Sequence, residues 1–201
     1  MDPSTWNQRY SEPGYAYGIA PNEFLVFAAQ NIPPGRVLSL GEGEGRNAVF
    51  LAERGYEVLA VDSSSVGLAK AQELAGQKGV TISTQQADLA DFSIEADTWD
   101  GIISIFCHLP PEIRKPLYRK VVRGLKPGGV LVLESYTPNQ LNFGTGGPKE
   151  PDRLLTLSDV KLELTGLDFV HAVETERTIR EGSYHSGLSA VVQIIGIKPQ
   201  A

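Results

Sequence analysis

The feature that most constrains this chain is Gly41-Glu42-Gly43-Glu44-Gly45. This alternating glycine run lies between a short apolar segment, Val37–Leu40, and a stretch with Ala48, Leu51 and Ala52 at helical spacing. A strand, a glycine turn and a helix in that order bring backbone N–H groups to a helix start, and a ligand can come close because no Cβ intervenes. The alternation continues. Glu57–Val61 reads as a second strand, Ser63–Ser65 as caps for a helix carrying Leu68, Ala71 and Ala75 and closed by Gly79, and Val80–Gln86 as a third strand. Gly101–Ile105 is the core of a fourth strand, and Pro110-Pro111-Glu112 opens a helix that runs to about Gly124. Leu125–Gly129 is a turn into a fifth strand, Val130–Glu134. A parallel sheet covered by helices reads in this way.

The remainder reads differently. Thr137–Asp152, rich in proline and glycine, is expected to be a long loop, and Leu157–Leu164 a helix. Phe169–Arg180 and Leu188–Ile197 are expected to be adjacent strands joined by a hairpin, Glu181–Gly187. A chain of 201 residues suits one α/β domain. It divides into an N-terminal lid (1–34), a cofactor-binding core (35–136), and a substrate-side loop with a C-terminal hairpin (137–201). Cys107 is the single cysteine, which excludes intramolecular disulfides and a multi-cysteine metal site; no metal is expected. The net charge of −6 with scattered Lys and Arg argues against nucleic acid or an anionic membrane as partner. Met1-Asp2-Pro3 does not open a signal peptide, and no apolar run approaches the ~20 residues that span a bilayer. A cytoplasmic monomer or weak homodimer is expected.

The loop spacing is G-x-G-x-G rather than the G-x-G-x-x-G of dinucleotide enzymes. Glu42 and Glu44 would repel a diphosphate by direct Coulomb interaction, but would tolerate an ammonium and a sulfonium. The loop therefore favours S-adenosylmethionine over NAD or FAD. Asp62, about 20 residues further on at the end of the second strand, can accept both ribose hydroxyls; with Ser63 it can instead cap the next helix. Asp88 can accept from an adenine amino group while the Leu89 backbone meets the ring edge, although an Asp-Leu pair also suits an ordinary turn.

Val37–Asn47, Asp62, Ala87-Asp88-Leu89 and Leu125–Gly129 resemble the successive motifs of class I methyltransferases, over roughly half the chain. The resemblance implies a Rossmann-like three-layer sandwich with a seven-stranded, mostly parallel sheet whose last strand is antiparallel. It also assigns Gly41 and Gly43 to the methionine moiety, Asp62 to ribose and Asp88 to adenine. Glu42, Arg46, Ser63, Leu89 and Phe106 complete the candidate cofactor set. The pattern departs at Ser39, where the family usually carries an acidic residue that organises the loop; Glu42 is placed to compensate.

Methyl transfer from a sulfonium mainly needs positioning and desolvation, with a base only for a protonated nucleophile. Three segments can reach the methyl group. The first holds Trp6, Tyr10, Tyr15, Tyr17, Phe24 and Phe27, whose faces can cover a sulfonium. Phe24 and Phe27 can equally pin a terminal helix to the sheet. Trp6–Tyr10, Tyr17-Gly18, Pro21–Leu25 and Leu51–Tyr56 resemble the tellurite-resistance and thiopurine methyltransferases, which implies a small soft nucleophile, a thiol or chalcogen oxyanion. The second is Phe106–Leu109, where His108 can be a base or cap the following helix, and Cys107 reads as a small buried hydrophobe. The third is Gly182–Gly187, where His185 with Arg180 can orient an acceptor, or the segment is simply a polar hairpin tip. His171 reads as structural. His185, His108 and Tyr10 form the candidate catalytic set.

The reading is thus a methyltransferase acting on a small molecule. The alternatives are an S-adenosylmethionine-binding regulatory or scaffold protein without turnover, motivated by Ser39, and a nicotinamide enzyme, opposed by the loop.

Overall fold

Val37, Val58, Ala60, Ile103, Val130 and Val132 pack into one apolar cluster, while their neighbours Leu38, Leu59, Val61, Ile102, Leu131 and Leu133 pack into another. That period-two alternation with both faces apolar is what a sheet sandwiched between helices requires. The structure, a computed structural model, describes residues 3–200. Among these, the strands are β1 (Arg36–Leu40), β2 (Glu57–Asp62), β3 (Ser83–Gln86), β4 (Trp99–Ile105), β5 (Leu125–Tyr136), β6 (Asp168–Glu181) and β7 (His185–Ile197). The helices are α1 (Pro3–Tyr10), α2 (Glu23–Ala28), α3 (Arg46–Glu53), α4 (Ser65–Gln77), α5 (Pro111–Gly124) and α6 (Leu157–Glu163).

The seven strands form one sheet in the order β3-β2-β1-β4-β5-β7-β6. β1 to β5 are mutually parallel, and β7 runs antiparallel to both of its neighbours. This is the Rossmann-like methyltransferase arrangement, with the antiparallel last strand. Residues of α2, α3 and α4 fill one face, while α5, α6 and the irregular segment through Leu89, Phe92 and Ile94 fill the other. Strand order reverses between β1 and β4, so their C-terminal ends frame a crevice at the topological switch point.

Several boundaries differ from expectation. The third strand starts at Ser83 because Val80 N–H bonds to the Ala75 carbonyl, closing α4 through Gly79 in the left-handed region. The Leu125–Gly129 turn is absorbed into β5, where pairing slips from Trp99–Leu125 to Gly101–Val130. The 137–152 segment is no free loop. It contains 3₁₀ turns at Pro138–Asn142 and Pro151–Arg153, and buried Gln140 accepts from Ala190 N–H while donating to Thr145 Oγ1 and the Gly146 carbonyl. The hairpin shortens to Gly182–Tyr184, so Glu181 and His185 pair directly across β6 and β7. The N-terminal region docks rather than trailing: Asn7 Oδ1 accepts from Ser64 Oγ at 2.7 Å, and Lys70 Nζ donates to the carbonyls of Glu12 and Gly14. Phe24 is buried with α2, whereas Phe27 stays 56% exposed and does not pin the helix. No helix among the described residues is long and apolar enough to cross a membrane.

Candidate functional site

A cleft of about 550 Å³ opens at the C-terminal ends of β1, β2 and β4, under the N-terminal arm. That volume lies within the roughly 300–1,000 Å³ of small-molecule and cofactor sites. Of the candidate residues, Gly41, Glu42, Arg46, Asp62, Ser63, Asp88, Leu89, Phe106, His108, His185 and Tyr10 all line it. Gly43 does not. Tyr10 covers it: a Cβ on Gly43 would lie 2.7 Å from Tyr10 Oη.

The glycine loop is shaped by its own contacts. Gly41 has φ +65°, and a Cβ there would meet the Cys107 sulfur at 2.7 Å. Gly43 has φ +66° and donates its N–H to Asp62 Oδ2 at 2.8 Å. Ser39 Oγ donates to Glu42 Oε2, while Glu42 Oε1 accepts from the Asn47 and Ala48 amides at 3.1 and 3.0 Å. Burial raises the Glu42 carboxyl above its usual range, against the pull of Ser39 and these amides. The amides that would greet a diphosphate at the start of α3 are therefore already occupied by a side chain of the chain itself. Glu44 plays no part in the cleft, contrary to the electrostatic reading of the loop. It accepts from Ala16 N–H at 2.7 Å and pairs with Lys70 at 2.9 Å, tying the arm down.

Asp62 lines the cleft and braces both the glycine loop and the turn into α4. Its Oδ1 accepts from Ser64 N–H and its Oδ2 from Gly43 N–H, both at 2.8 Å, and each oxygen keeps a second lone pair. Burial raises its carboxyl, with the Ser64 and Gly43 amides opposing. The cap proper is Ser64, whose Oγ accepts from Gly67 N–H. Asp88 Oδ1 accepts from Ala90 N–H in a local turn at the cleft edge, next to buried Leu89.

The opposite end is aromatic and basic. Phe106 has φ +50° and stands 4.6 Å, centre to centre, from the Tyr136 ring and 4.9 Å from His185; Tyr17 approaches His185 at 4.5 Å. His185 is buried, not a polar tip, because Ser183 N–H bonds to the Ala16 carbonyl and draws the hairpin under the arm. Its Nδ1 lies 3.4 Å from Glu181 Oε2, and Arg46 Nη2 lies 2.7 Å from the same oxygen. Burial opposes ionisation of Glu181, yet the His185 bond and the Arg46 guanidinium hold its carboxyl down at about 2. Arg180 is exposed and does not line the cleft, so it cannot orient an acceptor with His185; Arg46 stands there instead.

His108 does not cap α5. The N-cap is Pro110, which has no side-chain bond, and His108 Nδ1 lies 3.3 Å from Ser135 Oγ. Burial, then His185 and Arg153, push its pKa down to about 3, so it is neutral near pH 7. Tyr10 is held well above its usual range by burial and Asp62, so it donates rather than removes protons. Cys107 is only partly buried, lines the cleft beside Gly41, and has its thiol lifted by desolvation to about 12, so it is no ready nucleophile. His171 packs its ring 5.3 Å from Phe24.

Sequence reading missed the buried carboxylates. Glu134 is fully buried and accepts from Asn22 Nδ2, Arg177 and Gln193 Nε2. Asn22 Nδ2 also reaches Glu181 at 2.8 Å. One signal was present: Glu134 ends an otherwise apolar strand at the ligand edge, where a carboxylate must be paired. Glu181 gave none, because Glu174–Glu181 alternates charges as a solvated strand face does.

Residues 37–129 match the family model described as a methyltransferase domain. The chain is 29% identical over 124 residues to a 2-heptyl-1-hydroxyquinolin-4(1H)-one methyltransferase of Mycobacteroides abscessus, covering 60% of this chain and 55% of the relative. It is 32% identical over 137 residues to the tRNA 5-carboxymethoxyuridine methyltransferase of Escherichia coli, covering 60% and 52%. The chain thus spans about half the length of these curated relatives. The crystal structure of TehB from Haemophilus influenzae superposes with a TM-score of 0.72 at 20% identity, covering 96% of this chain and 65% of that one. Residues 37–129 thus resemble a methyltransferase domain, and the fold is that of the class I S-adenosylmethionine-dependent methyltransferases, similar to TehB.

Proposed function

We propose that this chain transfers the methyl group of S-adenosylmethionine to a small molecule with an ionisable nucleophile, a thiol first among them. One observation carries the reading. A single cleft joins a glycine loop whose helix amides are already engaged by Glu42 to a far end walled by Tyr17, Phe106, His108 and His185. The bound cofactor would supply an activated methyl group on a sulfonium.

The chain's own residues bind, orient and exclude water. Asp62 offers its remaining lone pairs to ribose hydroxyls, and Asp88 with Leu89 flanks the adenine end. Glu42 sits where an ammonium would be neutralised, and Tyr10 closes over Gly43. Phe106 and Tyr17 wall off the reacting end, and a dry site strengthens each charge-dipole contact within it. His185 is the base, and His108 a neutral polar group beside it. Enclosure by the arm and by Gly146–Pro148 favours a small acceptor. The net charge of −6 disfavours RNA, although one relative acts on tRNA.

Calorimetry with S-adenosylhomocysteine, followed by tritiated methyl transfer to a thiol panel and to bulk tRNA, tests the reading. Saturable binding with transfer to a thiol is expected. Binding without transfer favours a non-catalytic cofactor-binding protein, transfer to tRNA alone replaces the acceptor class, and a thermal shift with NAD alone overturns the cofactor.

A further inference from the structure

We propose that Glu181 is a positioning residue for methyl transfer: it takes the Nδ1–H of His185 and so leaves Nε2 as the nitrogen that removes the acceptor's S–H or O–H proton. This rests on the methyltransferase reading above and names the group that makes it work on a protonated acceptor.

The geometry is a cross-strand pair. Glu181 ends β6 and His185 begins β7, directly opposite in register, with Nδ1 3.4 Å from Oε2. Both are buried, and His185 lines the cleft. Glu181 is held from three directions: Arg46 of α3 at 2.7 Å, Asn22 before α2 at 2.8 Å, and Arg177 of β6 at 4.0 Å. A carboxylate so fixed can only accept, and it therefore selects the Nδ1–H tautomer.

The other groups around His185 do not compete for Nδ1. Tyr17 from the arm, Phe106 after β4 and Tyr136 of β5 present ring contacts, and the cations Arg46 and Arg9 disfavour its protonation. His108 stands near it, neutral through burial. Burial lowers the His185 pKa and Glu181 raises it, and the net shift is downward, so the ring is unprotonated near pH 7. In the step, the acceptor S–H bond breaks and its proton moves to Nε2. The sulfur pair forms the new S–CH₃ bond, and the pair of the breaking methyl–sulfonium bond stays on the cofactor sulfur. The imidazolium returns its proton to solvent after product leaves.

Two measurements test this. Nitrogen-15 NMR of the wild-type chain, with the His185→Gln spectrum assigning the signal, reads the tautomer with no turnover required. Nδ1–H is expected in the wild type, with a mixture and a lower His185 pKa in Glu181→Gln. A Nε2–H tautomer in the wild type, or no change in the variant, overturns the proposal.

The second measurement compares 2-mercaptoethanol, protonated at pH 7, with 4-nitrothiophenol, already ionised. Glu181→Gln should lower kcat/KM for the protonated thiol by roughly 10–100-fold, the scale of lost general-base catalysis. The ionised thiol should change by less than about threefold, far below that scale. The acid limb of the profile should move to lower pH, because the carboxylate that raised the His185 pKa is gone. Equal losses for both thiols, or a wild type that binds cofactor yet methylates neither, overturn the base assignment. Failure to bind S-adenosylhomocysteine at all counts against the methyltransferase reading, while the tautomer still decides the pairing.

Discussion

The Ser39 hydroxyl donates to the Glu42 carboxylate, and that carboxylate in turn accepts the first free amides of α3. Ser39 stands where the class I methyltransferases that the chain resembles usually carry an acidic residue, and with Glu42 it forms a two-residue relay to the loop. Ser39→Ala should cost about 1.5–3 kcal/mol, the scale of a hydrogen bond to a buried charged group, measured by urea unfolding. Ser39→Asp, which restores the usual acid, should be worse still, because it sets a second buried carboxylate against Glu42. A stabilised Ser39→Asp protein would refute the relay.

Asp62→Ala should weaken S-adenosylhomocysteine binding by about 1.5–3 kcal/mol, as for the loss of a charge-assisted bond. Asp62→Asn should recover little, because one of its two positions becomes a donor facing an N–H. Calorimetry at fixed pH decides both, and unchanged affinity removes Asp62 from the ribose site.

Gly43→Ala adds two independent penalties. The left-handed backbone costs about 1–2 kcal/mol for a residue with a Cβ. The new methyl would also stand 2.7 Å from Tyr10 Oη. Pairing it with Tyr10→Phe should recover part of the second penalty and none of the first, so a double-mutant cycle in thermal unfolding should show positive coupling. Strict additivity would mean that the ring does not rest on the loop.

Acid stability gives a fourth outcome. The His108 pKa lies at about 3, from an ordinary 6.5, so the unfolded chain binds the extra proton between those values. Stability should therefore be highest above about 6.5 and decline as pH falls toward 3, with His185 contributing in the same direction. Glu181, at about 2 from 4.5, adds a further decline below 4.5. Glu42 and Asp62, raised by burial, add stability as pH falls toward their ordinary values of 4.5 and 3.8, and so oppose the histidine slope above those values. The histidine contribution is therefore read between about 6.5 and 5 as the difference from a His108→Gln variant. His108→Gln should flatten the slope there in a urea series at stepped pH.

Much of this architecture was legible in the chain because it is written in local pattern. The strands β1, β2 and β4 carry apolar runs, α4 ends on Gly79, and the loop residues sit at fixed distances from Asp62 and Asp88. What escaped was set by contacts distant in sequence. His185 looked like a hairpin tip, because nothing nearby announces that Ala16 and Tyr17 will lie over it. Glu44 looked like a twin of Glu42, yet Lys70 and the Ala16 amide turn it away from the cleft. Arg180 turns outward for the same reason: pairing opposite Ser186 on β7 sets its face, and Arg46, on α3, is the arginine that reaches Glu181.

Asn22, Arg46, Glu134, Arg177 and Glu181 meet in the interior although they enter at five separate points of the chain. Each carboxylate there relies on a cation contributed by another element, so removing any one partner strands a charge out of reach of water. Truncations in this group should cost more than the shape-conserving Glu181→Gln, whose amide oxygen can still accept from Arg46. Arg46 carries that network to the cleft, so this edge of it is among the parts of the protein least free to drift, and a change of ligand preference is expected to come from Gly146–Pro148 and the arm aromatics instead.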